Sequence, residues 1–486
     1  MTERNDLTQQ LSVAQRQAVR QLLRISPVAD ELGRRFEAAG HQLALVGGSV
    51  RDALLDRLGH DLDFTTSAHP DETKRLLSGW ADAVWDVGRA FGTIGGRKGE
   101  FQIEITTYRS DIYDRDSRKP EVSYGDSIHD DLIRRDFTIN AMAVTLPGHD
   151  FIDPYGGLGD LSRRTIRTPG TPQQSFSDDP LRMMRAARFA AQLDFDVAPD
   201  VVTAMSDMAD RITIVSAERI RDELTKLLLS PRPRAGLTLL VDTGLADHVL
   251  PELPALRLEI DEHHRHKDVY EHSLTVLEQA IDLEHRLPDG GPDLVIRLAA
   301  LLHDIGKPKT RRFEPGGGVS FYHHDVVGAK MAKKRLTALR YPSSVVQSVT
   351  ELTALHLRFH GYGGGDWTDS AVRRYVRDAG DELERLHILT RADCTTRNKR
   401  KAQALQRAYD DLEQRIERLQ AEEELAAIRP DLDGDQIMQI LGIPPGPVVG
   451  RARKHMLDIR LDRGPLDEDE AREELLRWWA EQPESR

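Results

Sequence analysis

The chain is expected to fold as an α/β head built on a small mixed sheet, followed by regions that are mainly helical. Two patterns predict this. Up to about residue 150, short apolar or alternating runs that suit strands exchange with helically spaced segments, whereas beyond it apolar residues recur every three or four positions. Proline and glycine clusters at PGTPQQ, SPRPRAG, LPDGGPD, EPGGG and GYGGGD mark the breaks. The expected organisation is a head over 25–150, a helical neck over 151–255, a histidine-rich helical region over 256–395 and a helical tail over 396–486.

In order along the head, the apolar run Leu43 to Val46 reads as a buried strand. Gly47 and Gly48 then turn the chain, and Val50 to Leu58 has helical spacing. Backbone N–H groups of such a turn at a helix start can face a phosphate. In DLDFTT, Asp61 and Asp63 flank Leu62, so in a strand both carboxylates share one face while Leu62 and Phe64 share the other. Two carboxylates so placed repel unless a cation neutralises them. Their hard oxygens suit Mg²⁺, and two such ions roughly 4 Å apart can activate a hydroxyl and stabilise a leaving pyrophosphate. Glu104, in the alternating strand FQIEITTYR, supplies a third carboxylate, and Thr106 shares its face. Metal-assisted phosphoryl transfer is the chemistry these residues suggest. From Arg109 to Arg134 the chain is polar and charge-mixed and reads as a mobile loop.

A second constellation lies further on. His272 begins the helical segment EHSLTVLEQAIDL, His303 and Asp304 close the apolar helix LVIRLAALLHDIGK, and His323-His324-Asp325, His356 and Asp393 follow. The tract Asp261 to Asp268 reads as a solvated entry segment. In the tail, KAQALQRAYDDLEQRIERL is an amphipathic helix of roughly five turns, and the acidic end DEDEAREELLRWW is helix-prone.

These motifs together resemble the nucleotidyltransferases that add CCA to tRNA 3' ends, of the class II bacterial type, and their poly(A) polymerase relatives. The resemblance covers nearly the whole chain. It implies that GGSVRD with DLDFTT is the metal and triphosphate motif, with Asp61, Asp63 and Glu104 as the catalytic carboxylates. Gly47, Gly48, Arg51 and Asp52 then belong to nucleotide binding. RRDFTINAMA resembles the segment that selects ribose and contacts triphosphate, which implicates Arg134, Arg135, Asp136 and Asn140. FIDPYGGLGDL resembles the link into the neck, SDDPLRMMRAARFAAQL the neck helix that reads the incoming base, and SAERIRDEL the helix bracing it. Asp179 and Arg182, three apart on an expected helix, lie on one side of it. A carboxylate and a guanidinium together match the Watson–Crick edge of C or A. Arg185 and Arg188 continue that row toward triphosphate or tRNA backbone. The family has Glu-Asp where this chain has Asp178-Asp179, so no role is carried onto Asp178. Within the loop, Arg109, Asp111, Arg115 and Arg118 are candidates for the change from CTP to ATP.

The middle region resembles the HD metal-dependent phosphohydrolase domain. That resemblance implies His272, His303, Asp304 and Asp393 as ligands of a transition metal such as Mn²⁺, Ni²⁺, Fe or Zn²⁺, with His324 and His356 as candidates for a second ion or a phosphate. Hydrolytic trimming of damaged tRNA ends is the matching expectation. The tail resembles the part of the family that grips the tRNA elbow by shape and backbone.

Composition limits the alternatives. At 486 residues the length suits several domains, and the single cysteine, Cys394, excludes an internal disulfide or a cysteine-based zinc cluster. The first residues lack the basic-then-apolar pattern of a secretory signal, and no apolar run is long enough for a bilayer, so the expected location is the cytoplasm. A net charge of −13 disfavours indiscriminate coating of nucleic acid, yet permits a shape-specific enzyme with local basic tracks. The expected activity is template-independent CCA addition with CTP, ATP and Mg²⁺. Open alternatives are a poly(A) polymerase, an enzyme adding only CC or only A, and an HD phosphohydrolase whose head is inert and binds RNA.

Overall fold

The computed structural model describes residues 26–483 except 58, 87, 90–91, 109–126, 258–267, 316–317, 360–361, 363–366, 396–397 and 424–428. The loop candidates Arg109, Asp111, Arg115 and Arg118, and the tract Asp261 to Asp268 up to 267, lie outside the described residues. Two compact units, Met1–Pro251 and Glu252–Arg486, divide the chain.

The first unit contains a seven-stranded mixed sheet of β1 (Leu43–Val46), β2 (Asp61–Thr66), β3 (Ala83–Trp85), β4 (Thr93–Lys98), β5 (Phe101–Thr107), β6 (Ala143–Leu146) and β7 (Phe151–Ile152), in the order β3-β4-β5-β2-β1-β6-β7. Strands β2 and β5 pair in parallel and their neighbours antiparallel. The pleat sorts the side chains: Leu62, Phe64, Ile103 and Ile105 are buried, and Asp61, Asp63 and Glu104 point the other way. Burial of each such apolar side chain stabilises by about 1.5–3 kcal/mol, so register and the position of the carboxylates are set together. A slip of one residue would exchange the two faces.

Local structure differs from expectation in four places, one being the end of the segment expected as a mobile loop to Arg134, where Ile128–Ile133 is a helix capped by Ser127. The helix after the glycine turn is Gly48–Leu54, shorter than the expected Val50 to Leu58, because Asp56 takes a left-handed φ of 56° and Arg57 N–H closes back on Asp52 O. The sheet runs to Ile152, since Phe151 pairs with Val144, two residues past the expected end of the head at 150. Asp179 does not share a helix with Arg182. Pro180 has no N–H, Asp179 is extended at φ −144°, and the helix Leu181–Leu193 starts after it, with Leu181 N–H donating to Asp179 Oδ1 at 3.1 Å. The apolar face of that helix, including Met183, Met184 and Ala187, is buried among Pro172–Asp178, Ala217–Leu228 and Pro233–Asp242.

The described residues of the second unit are almost entirely helical. Val269–Leu283, Leu294–Leu302, Ser343–Leu355 and Leu383–Ala392 pack together, with His324–Ala338 against Ser343–Leu355. The long helix Lys399–Glu423 leads to Gly434–Leu441, Pro447–Arg463 and Glu468–Ala480, whose small core is Leu432, Ile437, Ala452, Met456, Ala471 and Leu475. Among the described residues no helix is long and apolar enough to cross a membrane.

Candidate functional site

The first site is a cleft on the polar face of the sheet. Asp63 and Glu104 are direct partners across the parallel pair β2–β5, and Asp61 stands two residues earlier on the same face. A cavity of about 230 Å³ is lined by Val46, Asp63, Phe64, Glu104, Thr106, Arg134 and Arg135. Its floor is acidic and its opposite wall basic. Gly47, at φ 68°, brings backbone to the rim, where a Cβ would stand 2.8 Å from Arg135 Nη1. Ser49 fixes the floor, because its hydroxyl accepts from Asp63 N–H at 2.9 Å and lies 3.3 Å from Asp61 O. Burial by the cleft walls pushes the Asp63 carboxyl above its ordinary range although its tip reaches solvent; Arg135 opposes the rise, Glu104 and Asp61 add to it, and Arg51 opposes it. Such crowding of like charge is what a divalent cation relieves, so the donor set fits a metal.

The other expected nucleotide contacts are arranged differently. Asp131, fully buried, holds Arg134 and Arg135 at 3.3 and 3.0 Å on the cleft wall. Arg51 is buried: it grips Asp52 at 2.8 Å and donates to Asn140 Oδ1 at 2.7 Å. Asn140 donates to Asp136 Oδ1 at 3.0 Å, and Asp136 also takes Arg185 Nε at 2.8 Å and Phe137 N–H at 2.8 Å. These residues therefore tie the glycine-turn helix to the neck helix and do not line the cleft. Arg182 continues the tie by donating to Arg134 O and to Ser175 Oγ. Arg188 faces inward, bonded to Glu223 at 2.6 Å with its guanidinium 4.1 Å from the Phe189 ring centre, where the helical spacing had suggested an outward row. Asp179 takes Arg219 Nη2 at 2.7 Å, from the helix Ala217–Leu228.

Burial pushes the Asp136 carboxyl up, but Arg185, Asn140 and Arg182 together hold it down at about 2, below the 3.8 of an unstructured Asp. Its stabilising contribution is therefore complete above about pH 4 and is lost as pH falls through about 2. Acid titration of stability should show wild type losing about 2 kcal/mol over that window relative to Asp136→Asn.

The second site lies in the helical unit. His272, His303 and Asp393 form one cluster and Asp304, His324 and His356 another, the candidate ligand atoms of each lying within 4.8 Å of one another. Asp304 stands between them: Oδ2 is 3.2 Å from His303 Nε2 and 3.5 Å from His272 Nε2, while Oδ1 is 3.2 Å from His324 Nε2 and 4.0 Å from His356 Nε2. Each imidazole is aimed by its other nitrogen. His303, His324 and His356 use Nδ1 on the carbonyls of Ala300, Phe321 and Thr353, and His272 uses Nδ1 on Thr395 Oγ1. That leaves the Nε2 atoms facing inward, the arrangement of metal-binding histidines. His303 Nε2 is buried without a hydrogen-bond partner. Burial pushes His303 down, yet Asp304 and Asp393 carry it up to about 8; His356, buried and facing His303, is pushed down to about 4. The set fits metal ions in both clusters; Asp304 is a member of the second and turns its other carboxylate oxygen to His272 and His303 of the first.

Gly306, just after Asp304, is required by close approach: a Cβ would meet His324 O at 2.1 Å and Gly328 N at 2.7 Å, both backbone. Gly306→Ala is expected to destabilise the protein by about 2–3 kcal/mol, measurable by denaturant unfolding.

Comparison with known proteins bears on both sites. Residues 43–167 match the model of the poly A polymerase head domain, 194–256 that of the probable RNA and SrmB-binding site of polymerase A, and 269–398 that of the HD domain. Over 450 residues, 91% of this chain and 96% of the relative, the sequence is 34% identical to an A-adding tRNA nucleotidyltransferase of Deinococcus radiodurans. The chain belongs to the tRNA nucleotidyltransferase family. A CCA-adding enzyme of Streptococcus gordonii is 43% identical over 229 residues, 47% of this chain and 56% of that protein, so the alignment spans little more than half of that relative. The solved CCA-adding enzyme of Bacillus stearothermophilus in complex with CTP matches with a TM-score of 0.68 at 25% identity, covering 93% of this chain and 98% of that one.

As a member of this family the protein is a nucleotidyltransferase, with a mixed-sheet head and helical body. Several residues at the two sites were not singled out from the sequence. Ser49 lies inside GGSVRD without a role assigned to it, and Asp131 lies outside every quoted motif. Lys307, whose Nζ is 2.8 Å from Asp304 Oδ2, was legible as the cation three residues after Asp304 in HDIGK. Arg219 lay in the bracing segment without a stated partner.

Proposed function

We propose that this protein adds C, C and A to the 3' end of tRNA without a nucleic-acid template, using CTP, ATP and Mg²⁺. The observation that carries this is the cleft itself, with Asp63 opposite Glu104, Asp61 on the same face, and Arg134 and Arg135 across from them. Asp61 and Asp63 would hold the metal, with Glu104 beside them. When bound, Mg²⁺ supplies activation of the tRNA 3'-hydroxyl and charge stabilisation for the departing pyrophosphate. Arg134 and Arg135 face the triphosphate as fixed cations, and their anchor Asp131 holds them on the wall opposite the carboxylates. Asp179 and Arg182 stand in for the template strand; Arg219 orients the first, Ser175 and Arg134 O the second.

A second reading, addition of the final A alone, is favoured by the Deinococcus relative, whose likeness extends over nearly its full length. Two tRNAs, one lacking all three terminal nucleotides and one ending in CC, each incubated with CTP alone or ATP alone, separate the readings. C joined to the first and A to the second supports CCA addition; no C on the first moves the assignment to the A-adding activity. Repeated A on an unrelated RNA would make the protein a poly(A) polymerase. Arg182→Ala is expected to weaken discrimination against UTP and GTP about tenfold, from the loss of a charged hydrogen-bond donor, and Arg219→Ala to weaken it less. Misincorporation assays with single nucleotides measure both.

For the second site we infer a phosphohydrolase acting on phosphorylated tRNA 3' ends. His272, His303 and Asp393 on one side, and His324 and His356 on the other, would hold Mn²⁺, Ni²⁺ or another transition metal through the shared Asp304. When bound, such a metal supplies Lewis-acid activation of a phosphoryl group. Protein incubated with Mn²⁺ or Ni²⁺ should release phosphate from a 3'-phosphate or open a 2',3'-cyclic phosphate; release from neither would end this reading.

A further inference from the structure

The segment that joins the two halves of the histidine cluster departs from the rest of the chain in composition. Between Asp304 and His324 it runs through the helical turn Lys307–Thr310, the strand Arg312–Phe313 and the antiparallel strand Val319–Ser320. Both feet of this hairpin stand on the candidate ligands: Lys307 Nζ is 2.8 Å from Asp304 Oδ2, and the Phe321 carbonyl is bonded to His324 Nδ1 at 2.8 Å. From Lys307 to His323 the sequence has four lysines and arginines and one acid, Glu314, in a protein of net charge −13.

Two large rings stand out of this basic hairpin. Phe313 is 66% exposed and Tyr322 is 69% exposed, while Phe321 beside it is 4% exposed and packs inward. The Arg311 guanidinium lies 4.8 Å from the Phe313 ring centre. Exposed rings among cations, beside a histidine–aspartate cluster whose donor set fits metal ions, are the combination that holds single-stranded RNA: bases stack on the rings and the cations follow the backbone.

We propose that the hairpin docks a single-stranded RNA 3' end and delivers its terminal phosphate to the histidine cluster. Tyr322 and Phe313 stack the last bases, Lys309 and Arg312 run along the phosphodiesters, and Lys307 meets the terminal phosphate. This rests on the phosphohydrolase reading of that cluster and names its substrate class. A free 3'-mononucleotide shares the phosphate but offers one base and no backbone, so the oligonucleotide is the favoured ligand.

The test uses the full chain loaded with Mn²⁺ and a 3'-phosphorylated RNA hexamer carrying 4-thiouridine as its last nucleotide. Ultraviolet crosslinking is expected to label the peptide 307–323, and an equal concentration of 3'-AMP should not displace the probe. The double variant Phe313→Ala/Tyr322→Ala, both exposed and checked for folding by melting temperature, should lower that yield at least about fivefold, the smaller end of what one stacked base contributes. Crosslinks only elsewhere in the chain, displacement by 3'-AMP, or wild-type yield in the double variant would overturn the proposal. Labelling of the hairpin without any phosphate release defeats the hydrolase reading alone; phosphate release with crosslinks only elsewhere defeats the docking alone.

Discussion

Asp63→Asn is expected to abolish nucleotide addition, lowering kcat by about 10²- to 10³-fold or more while the fold persists. Asp63 is the carboxylate that faces Glu104 directly across β2 and β5, and burial in the cleft makes its charge costly. Asparagine keeps its shape, including the backbone N–H bonded to Ser49, and removes the negative charge that would recruit the cation. Stability should therefore hold or rise slightly in metal-free buffer, because a crowded like charge has gone. Single-turnover incorporation of labelled nucleotide measures the loss. A kcat within threefold of wild type would mean that the cleft is not where nucleotidyl transfer occurs.

The second large effect is at Asp304. Its two carboxylate oxygens face histidines of both clusters, so Asp304→Asn is expected to strip transition metal from both, whereas His324→Ala should affect one. Metal per folded chain after gel filtration should fall to background in the first variant and only partly in the second. Phosphate release from 3'-phosphorylated RNA should disappear in parallel. Asp304 is buried beside Lys307, and removing one partner of such a pair costs about 3 kcal/mol, so metal content must be normalised to folded protein. Together the two variants also address an RNA-binding but inert head: if that were the arrangement, Asp63→Asn would change nothing that an extension assay can read.

Where the chain could be read from sequence, the reason was periodicity coupled to chemistry. The alternation in DLDFTT and FQIEITT placed three carboxylates on one face, since a pleated strand leaves no other arrangement once Leu62, Phe64, Ile103 and Ile105 are buried. That β2 and β5 are neighbours was not legible, because strand order depends on long-range pairing. The apolar helix ending at His303 was equally plain, but the position of Asp304 between two clusters depends on how Val269–Leu283, His324–Ala338 and Leu383–Ala392 converge. Spacing misled where a single residue interrupts a helix. Pro180 removes Asp179 from the row it seemed to share with Arg182, so the two stand in the loop before a helix and at that helix's start. Arg188 looked like part of an exposed basic row; Glu223, 35 positions later, draws it inward. Arg51, Asn140 and Asp136 show a similar limit: residue type gives no sign of their mutual bonds and the bond to Arg185 that make them a strut between head and neck.

In the proposed function, protein side chains both catalyse nucleotide addition and choose the nucleotide. Its most direct test is to give the wild-type protein a tRNA lacking its three terminal nucleotides, all four nucleoside triphosphates and Mg²⁺, and then sequence the 3' ends. Ends that finish in CCA and stop there are expected. Unextended ends, runs of A, or incorporated U and G at frequencies near those of C and A would contradict it.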